Sequence, residues 1–290
     1  MVRSWVVNSS NKLCLLLVNA VVVAIFGASS SAFAAPRRIP LKNAPVKLVR
    51  DNNGNPVAAF RENQFISMNW SGYVLSKFET GNHYTSASST WVVPEVTYQG
   101  VDAVSANWVG IGGYCKNKKC KPDKTLIQLG TIQATSNSGP QYLAWYEMLP
   151  APIIPIGSLE VHPGDVITAS LSCAGKCKNK GKWTLAMKDE TTGNSWSLDV
   201  SYKSSKLSVD YIEEAPTSGG IVPLADFGQT FFSASTANGG SANLDDAVSL
   251  IMEDPHGQTS NVSAPNATLD GFAACFSPDS TLAPCFDTSP

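Results

Sequence analysis

Beyond residue 66 the apolar positions recur in short runs rich in Val, Ile, Thr, Trp and Tyr, separated by clusters of Gly, Pro, Asn and Ser. That spacing is the signature of strands joined by turns. Trp183, Leu185 and Met187 alternate with polar residues, as do Trp196, Leu198 and Val200, and Thr192-Gly193-Asn194 lies between the two sets. This predicts a hairpin. His162-Pro163-Gly164-Asp165 predicts a turn that feeds a strand from Val166 to Leu171. No long segment carries a helical period, and no internal repeat is visible. The pattern therefore predicts an all-β domain, a sandwich or a barrel, over residues 67 to 290. From about residue 255 the chain turns rich in Pro, Ser, Thr and Asn and reads as a tail pinned by Cys275 and Cys285.

The first 66 residues have a different texture. Arg3 and Lys12 precede a mostly apolar stretch from 13 to 28, and Ala32-Phe33-Ala34 offers a small-x-small cleavage site. Residues 1 to 34 thus read as a signal peptide, and the product as a secreted, extracellular protein with no membrane association once the signal is removed. Residues 35 to 66 contain Pro36, Pro40, Pro45 and Pro56 and the run Asn52-Asn53-Gly54-Asn55, and show little periodicity. They are expected to be mostly extended, either a propeptide or an N-terminal arm of the mature protein.

Charge sharpens that division. Residues 35 to 66 carry six basic and two acidic side chains, a net of +4, whereas residues 67 to 290 carry 13 Lys, no Arg and 21 acids, a net of −8. An acidic domain without Arg is a poor match for nucleic acid. The opposite signs predict that the leader docks on the acidic face as an inhibitory propeptide. In that reading the basic side chains lower the pKa of the acids they meet, so the complex holds near neutral pH and is lost in acid. Six Cys remain after the signal, an even number in an exported chain, which points to disulfides. The near-neighbour pairs 115–120, 173–177 and 275–285 are the simplest of the possible pairings. Lysines crowd around two of those pairs, in 115–121 and 177–182, as solvated loops or as a surface for an anion near the cleft.

The chemistry is narrowed by elimination. Only three His are present, there is no Gly-x-Ser-x-Gly elbow, no His-Glu-x-x-His zinc motif and no glycine-rich phosphate loop. Carboxylates acting with water remain, with no metal and no cofactor implied. Five segments then stand in a telling order: Asn69-Trp70-Ser71-Gly72-Tyr73, Trp108-Val109-Gly110-Ile111-Gly112-Gly113, Ile127-Gln128-Leu129-Gly130, Trp145-Tyr146-Glu147 and Tyr211-Ile212-Glu213-Glu214-Ala215-Pro216, followed by Leu224-Ala225-Asp226-Phe227-Gly228. This series resembles the eqolisin family of glutamic peptidases, and the chain is identified as a bacterial-type member.

The resemblance implies two large antiparallel sheets packed face to face and a secreted endopeptidase, active in acid, made as a zymogen. It implies Glu214 as the residue that activates water and Gln128 as the amide that stabilises the oxyanion. Trp108, Glu147 and Trp70 are implied as cleft residues that contact substrate. The implied partners are protein or peptide substrates and the chain's own propeptide, and the enzyme is expected to be a monomer. Glu213 beside Glu214 raises a question of register, since neighbouring strand residues face opposite sides. The chain also departs from the family: Gly112 and Ile132 stand where fungal members carry acids, and Tyr211 replaces a Trp. Two other readings fit the residues without the resemblance. One is a β-sandwich glycoside hydrolase using Glu147 and Glu214. The other is a lectin-like or adhesive sandwich without catalysis.

Overall fold

A computed structural model describes residues 41–290 except 176, 178, 179, 280, 281, 283 and 288–290. The signal-peptide reading of 1–34 lies outside the described residues, as does the start of the leader.

In chain order the strands are β1 Gln64–Ser67, β2 Trp70–Ser76, β3 Ser86–Val92, β4 Ala103–Gly112, β5 Leu126–Thr135 and β6 Gln141–Met148. They continue as β7 Ile154–Pro155, β8 Val166–Ala174, β9 Gly181–Asp189, β10 Ser195–Tyr202, β11 Ser208–Glu214 and β12 Gln229–Ala237. The last four are β13 Gly240–Ser241, β14 Val248–Glu253, β15 Thr259–Val262 and β16 Phe272–Ser277. Helix is confined, among the described residues, to single turns at Lys77–Thr80 and Leu244–Asp246.

Hydrogen bonding joins the strands into one path, β10-β9-β8-β3-β12-β16-β15-β14-β2-β11-β4-β5-β6-β7. The path folds back on itself, so that its first half packs on its second. Trp91 of β3 donates its indole N–H to Thr131 Oγ1 of β5 at 3.0 Å, and Tyr73 of β2 meets Phe272 of β16 with ring centroids 4.8 Å apart. Ser71 of β2 and Ser260 of β15 hydrogen-bond at 2.7 Å near the fold. The result is an antiparallel β-sandwich, as the alternation predicts. The hairpin lies in β9 and β10, with Trp183 opposite Val200 and Leu185 opposite Leu198. Gly181, Trp183, Leu185 and Met187 are buried between the halves, and their alternate neighbours face outward.

Two features depart from the sequence reading. Residues 255 to 277 are not a tail: β15 and β16 lie inside the sheet between β14 and β12. Phe272, Ala273 and Ala274 are fully buried there, and the small side chains fit where the two halves meet. The three near-neighbour disulfides do form, and Cys275–Cys285 ties the end of the chain to β16.

The second departure is a third layer. β2, β4, β5, β11 and β14 are buried on both faces. One face fills the interface between the halves. The other carries a separate apolar cluster of Trp70, Val74, Trp108, Leu126, Trp145 and Ile212, and the N-terminal segment covers it with Val46 and Leu48. Residues 41–66 are mostly extended, as expected, but they are stitched to the domain. Lys42 and Thr217 exchange backbone bonds, Val46 N–H donates to Gly113 O at 3.1 Å, and Val49 N–H donates to Ile66 O at 2.9 Å. The expected boundary at residue 66 falls inside β1, which pairs in parallel with β14 from Gln64 opposite Ser249 to Ser67 opposite Met252.

Candidate active site

β11 settles the register of its two glutamates. Val209, Tyr211 and Glu213 point into the sandwich, while Asp210, Ile212 and Glu214 point to the outer face beneath the N-terminal segment. Glu214 lies opposite Trp70 on one side and Ala106 on the other. Gln128 on β5 lies opposite Gly110 of β4 and Glu147 of β6, on the same outer face. The structure therefore brings Trp70, Trp108, Gln128, Glu147 and Glu214 to one surface.

The side chains interlock. Trp108 Nε1 donates to Glu214 Oε2 at 2.9 Å, and Gln128 Nε2 donates to Glu147 Oε2 at 2.8 Å. Trp70 packs edge-on against Trp108, with ring centroids 4.9 Å apart and an interplanar angle of 76°. Two glycines make the room that Trp108 needs. A Cβ on Gly110 would lie 2.9 Å from the Trp108 ring and 3.0 Å from Gln128 Cβ, and one on Gly130 would lie 2.6 Å from Trp108 Cβ.

A peptide already crosses this surface. Asn43 N–H donates to Glu147 Oε2 at 3.3 Å, and the next amide, Ala44 N–H, donates to Glu214 Oε1 at 3.2 Å. Asn69 fixes the strap from beneath. Its Oδ1 accepts from Lys47 N–H at 2.8 Å, and its Nδ2 reaches the carbonyls of Ala44 and Pro45 and also Glu214 Oε1, each at 3.4 Å. The leader's basic side chains do not make these contacts. Arg50 bonds to the carbonyls of Gly54 and Cys120, and Arg61 to that of Val262 at 3.1 Å. Backbone amides of the leader hydrogen-bond the carboxylates, and the charge of Lys42 also favours the ionised form of Glu147.

Burial dominates the electrostatics. Glu147 is pushed up to about 8 by desolvation, against the lowering effect of the Gln128 and Asn43 N–H bonds. Glu214 is raised well above the carboxylate range, again by desolvation, with the Ala44 and Trp108 N–H bonds opposing and the Glu147 charge adding. The contacts that the leader itself makes, the Asn43 and Ala44 N–H bonds and the charge of Lys42, lower these carboxyls, and burial of the covered site outweighs them. Glu213 is also pushed up to about 8 by burial, and it accepts a short bond from Asn107 Nδ2 inside the sandwich.

Reading the sequence as a series of segments missed two residues of the outer face. Asp210 is fully buried there, with its carboxyl raised by desolvation, in the row of Gly110, Gln128 and Glu147. Its spacing of four from Glu214 on a strand was the available signal. Asn69 was quoted only as the first letter of a segment. Together, a hydrogen-bonded carboxyl and a non-titrating amide set beside a bound backbone can activate water and stabilise an oxyanion. Among the described residues no cluster of His, Cys, Asp and Glu could hold a metal ion.

Comparison with known proteins gives this geometry a setting. A family model described as "Peptidase A4 family" matches residues 68–269. The chain is similar to Aspergillopepsin-2 of Aspergillus niger, 23% identical over 207 residues that cover 66% of this chain and 71% of that protein. In structure it resembles scytalido-glutamic peptidase bound to a transition state analog inhibitor, with a TM-score of 0.57 and 23% identity over 72% of this chain and 98% of that one. A second likeness is SCP-B, described as a member of the eqolisin family in a complex with the tripeptide Ala-Ile-His, with a TM-score of 0.53 and 23% identity over 72% of this chain and 98% of that one.

Proposed function

The chain belongs to the peptidase A4 family, the eqolisin glutamic endopeptidases, and on that premise we propose that Glu214 is its general base and Gln128 its oxyanion donor. The glycosidase and lectin readings give way to the family. Trp108 holds Oε2 of Glu214, and once the Ala44 amide has left, Oε1, beside Asn69 Nδ2, can take a water molecule. Glu214 takes a proton from that water as its oxygen attacks the scissile carbonyl carbon. The carbonyl oxygen becomes negative and is met by Gln128 Nε2–H, whose amide Glu147 orients. Glu214 then returns the proton to the leaving nitrogen, and the C–N bond breaks. Trp70 and Trp108 form the apolar wall against which substrate lies.

The observation that carries this reading is the strap itself. An extended peptide lies across both carboxylates with consecutive amides on Glu147 and Glu214, and Ala44 N–H occupies the place a leaving nitrogen would take.

The same contacts support a self-blocked precursor. While residues 42–47 fill the cleft, substrate has no access to it. Release is best served by a cut in the exposed stretch 60–63, where Phe60 is 79% exposed. Such a cut frees the strap and leaves β1 in the domain. Secretion fits three disulfides, and among the described residues no helix is long and apolar enough to cross a membrane. Once uncovered and wetted, the Glu214 carboxyl returns toward its ordinary range, so the base is ionised in mild acid, where a Gln partner keeps its form. Acid activity follows from that pair.

The test is casein digestion by the full chain before and after a cut in 60–63, at several pH values. The full chain should be silent, the processed enzyme active in acid, and processed Gln128→Ala slower by roughly 10²- to 10³-fold. A Gln128→Ala enzyme with undiminished turnover would remove Gln128 from the mechanism, and an uncut chain of full activity would remove the blocking role of the strap.

A further inference from the structure

Gln128, Glu147 and Glu214 lie beneath the strap. An open hollow of about 680 Å³ lies where β5 begins and β6 ends, the strands of Gln128 and Glu147. Its floor is Met148, Leu149 and Tyr202, and its rim carries the lysines 124, 180 and 203. Met148 follows Glu147 directly and faces the sandwich side of β6, Leu149 lies on the outer side with Glu147, and Thr125, also in the wall, stands three residues before Gln128.

The hollow is built rather than incidental. Tyr202 Oη accepts from Leu126 N–H at 2.9 Å and donates to Leu149 O at 2.8 Å, which fixes the floor to β5 and β6. The loop before β11 is locked to the loop before β5, where Ser205 N–H donates to Thr125 Oγ1 at 2.9 Å and Ser205 Oγ to Asp123. Asp123, the acid next to Lys124, is 3% exposed and accepts from the Thr125 and Ser205 hydroxyls, so it faces away from the hollow. Among the described residues none of the three rim lysines forms an ion pair. Along the sequence, 11 of the 13 lysines after residue 66 fall within 116–124, 176–182 and 203–206, and Lys124, Lys180 and Lys203 from those stretches line the hollow.

We propose that this hollow is a substrate subsite for an acidic side chain, so that the enzyme favours peptides with Asp or Glu about two to four residues from the scissile bond. The inference rests on the peptidase reading above. An apolar floor receives the methylene stem, and a rim of unpaired ammonium groups receives the carboxylate. Lysines without arginine supply point charges rather than the planar forks that recognise phosphate. Continuity with the strands of the site places the ligand on the substrate chain rather than on a separate polymer.

The experiment uses the active, processed enzyme and peptides that differ only by Glu or Gln at single positions flanking the cleavage site. One position should show a preference for Glu of about fivefold in kcat/KM, carried by KM, because several exposed charges act together. High salt should reduce it toward unity. Lys124→Ala with Lys203→Ala should abolish the preference while leaving the Gln peptide unaffected, and Lys203→Glu should reverse it. Equal cleavage of Glu and Gln peptides at every position overturns the subsite while the peptidase reading stands. So does binding of a polyanionic polysaccharide to this face without any preference for Glu. Cleavage of none of the peptides sinks the peptidase reading and the subsite with it.

Discussion

Glu213 and Glu214 are neighbours on one strand, both fully buried and both with carboxyls raised by desolvation, yet they lie on opposite sides of the sheet. Glu213 is sealed between the two halves of the sandwich and bonded to Asn107. Glu214 is sealed by a peptide strap, and its partners are an indole N–H, a backbone amide and the Asn69 side-chain amide. Burial and a raised pKa are common to both and so do not mark a site by themselves. What separates them is the cover: one is closed by the protein's own core, the other by an N-terminal segment laid over the outer face.

The sharpest way to break this comparison is to neutralise each acid in turn. Processed Glu214→Gln should lose at least ~10²-fold in turnover, the scale of a missing general base. Glu213→Gln should stay within a few-fold of wild type, since its side chain has no path to the outer face. Peptide turnover by the two purified, folded variants decides it, and the opposite pattern would exchange their roles.

A smaller effect sharpens the role of the cover. Ala44→Pro removes the N–H that reaches Glu214 Oε1. The uncut precursor should then show several-fold more peptidase activity than uncut wild type, with little change after processing. Precursor activity that does not move would mean that the apolar contacts of Val46 and Leu48 alone keep the cleft closed.

The smallest effect lies on the core side. The folded chain keeps a proton on Glu213 up to about 8, whereas the unfolded chain releases it near 4.5. Between those values the folded state binds more protons at Glu213, so the contribution of this group to stability is fully present below about 4.5 and is lost as pH rises toward about 8. In Glu213→Gln the fall in Tm over that window should be shallower. An unchanged slope would show that Glu213 is already ionised inside the sandwich.

Much of this was legible in the residues. Strict alternation marks β9 and β10, because one face of that hairpin is buried and the other wet. Glu214 and Gln128 were singled out by the segments around them, and strand alternation said that Glu213 and Glu214 face opposite sides without saying which faces the cleft. β15 and β16 escaped notice because Thr259-Ser260-Asn261 and Ala273-Ala274 bury small or polar side chains in a crowded seam, where size matters more than hydrophobicity. The strap's position was illegible for a different reason. Its grip on the carboxylates uses backbone amides, which every residue but proline possesses.

The strap runs into β1, and Trp70, a wall of the cleft, begins only three residues after β1 ends. It is therefore a tethered ligand, held at an effective concentration on the order of millimolar whatever the amount of protein present. A break anywhere between strap and β1 converts that fixed local concentration into an ordinary bimolecular equilibrium. On the proposed cut, the return of the segment depends on its concentration in solution, so dilution favours the open cleft without destruction of the strap.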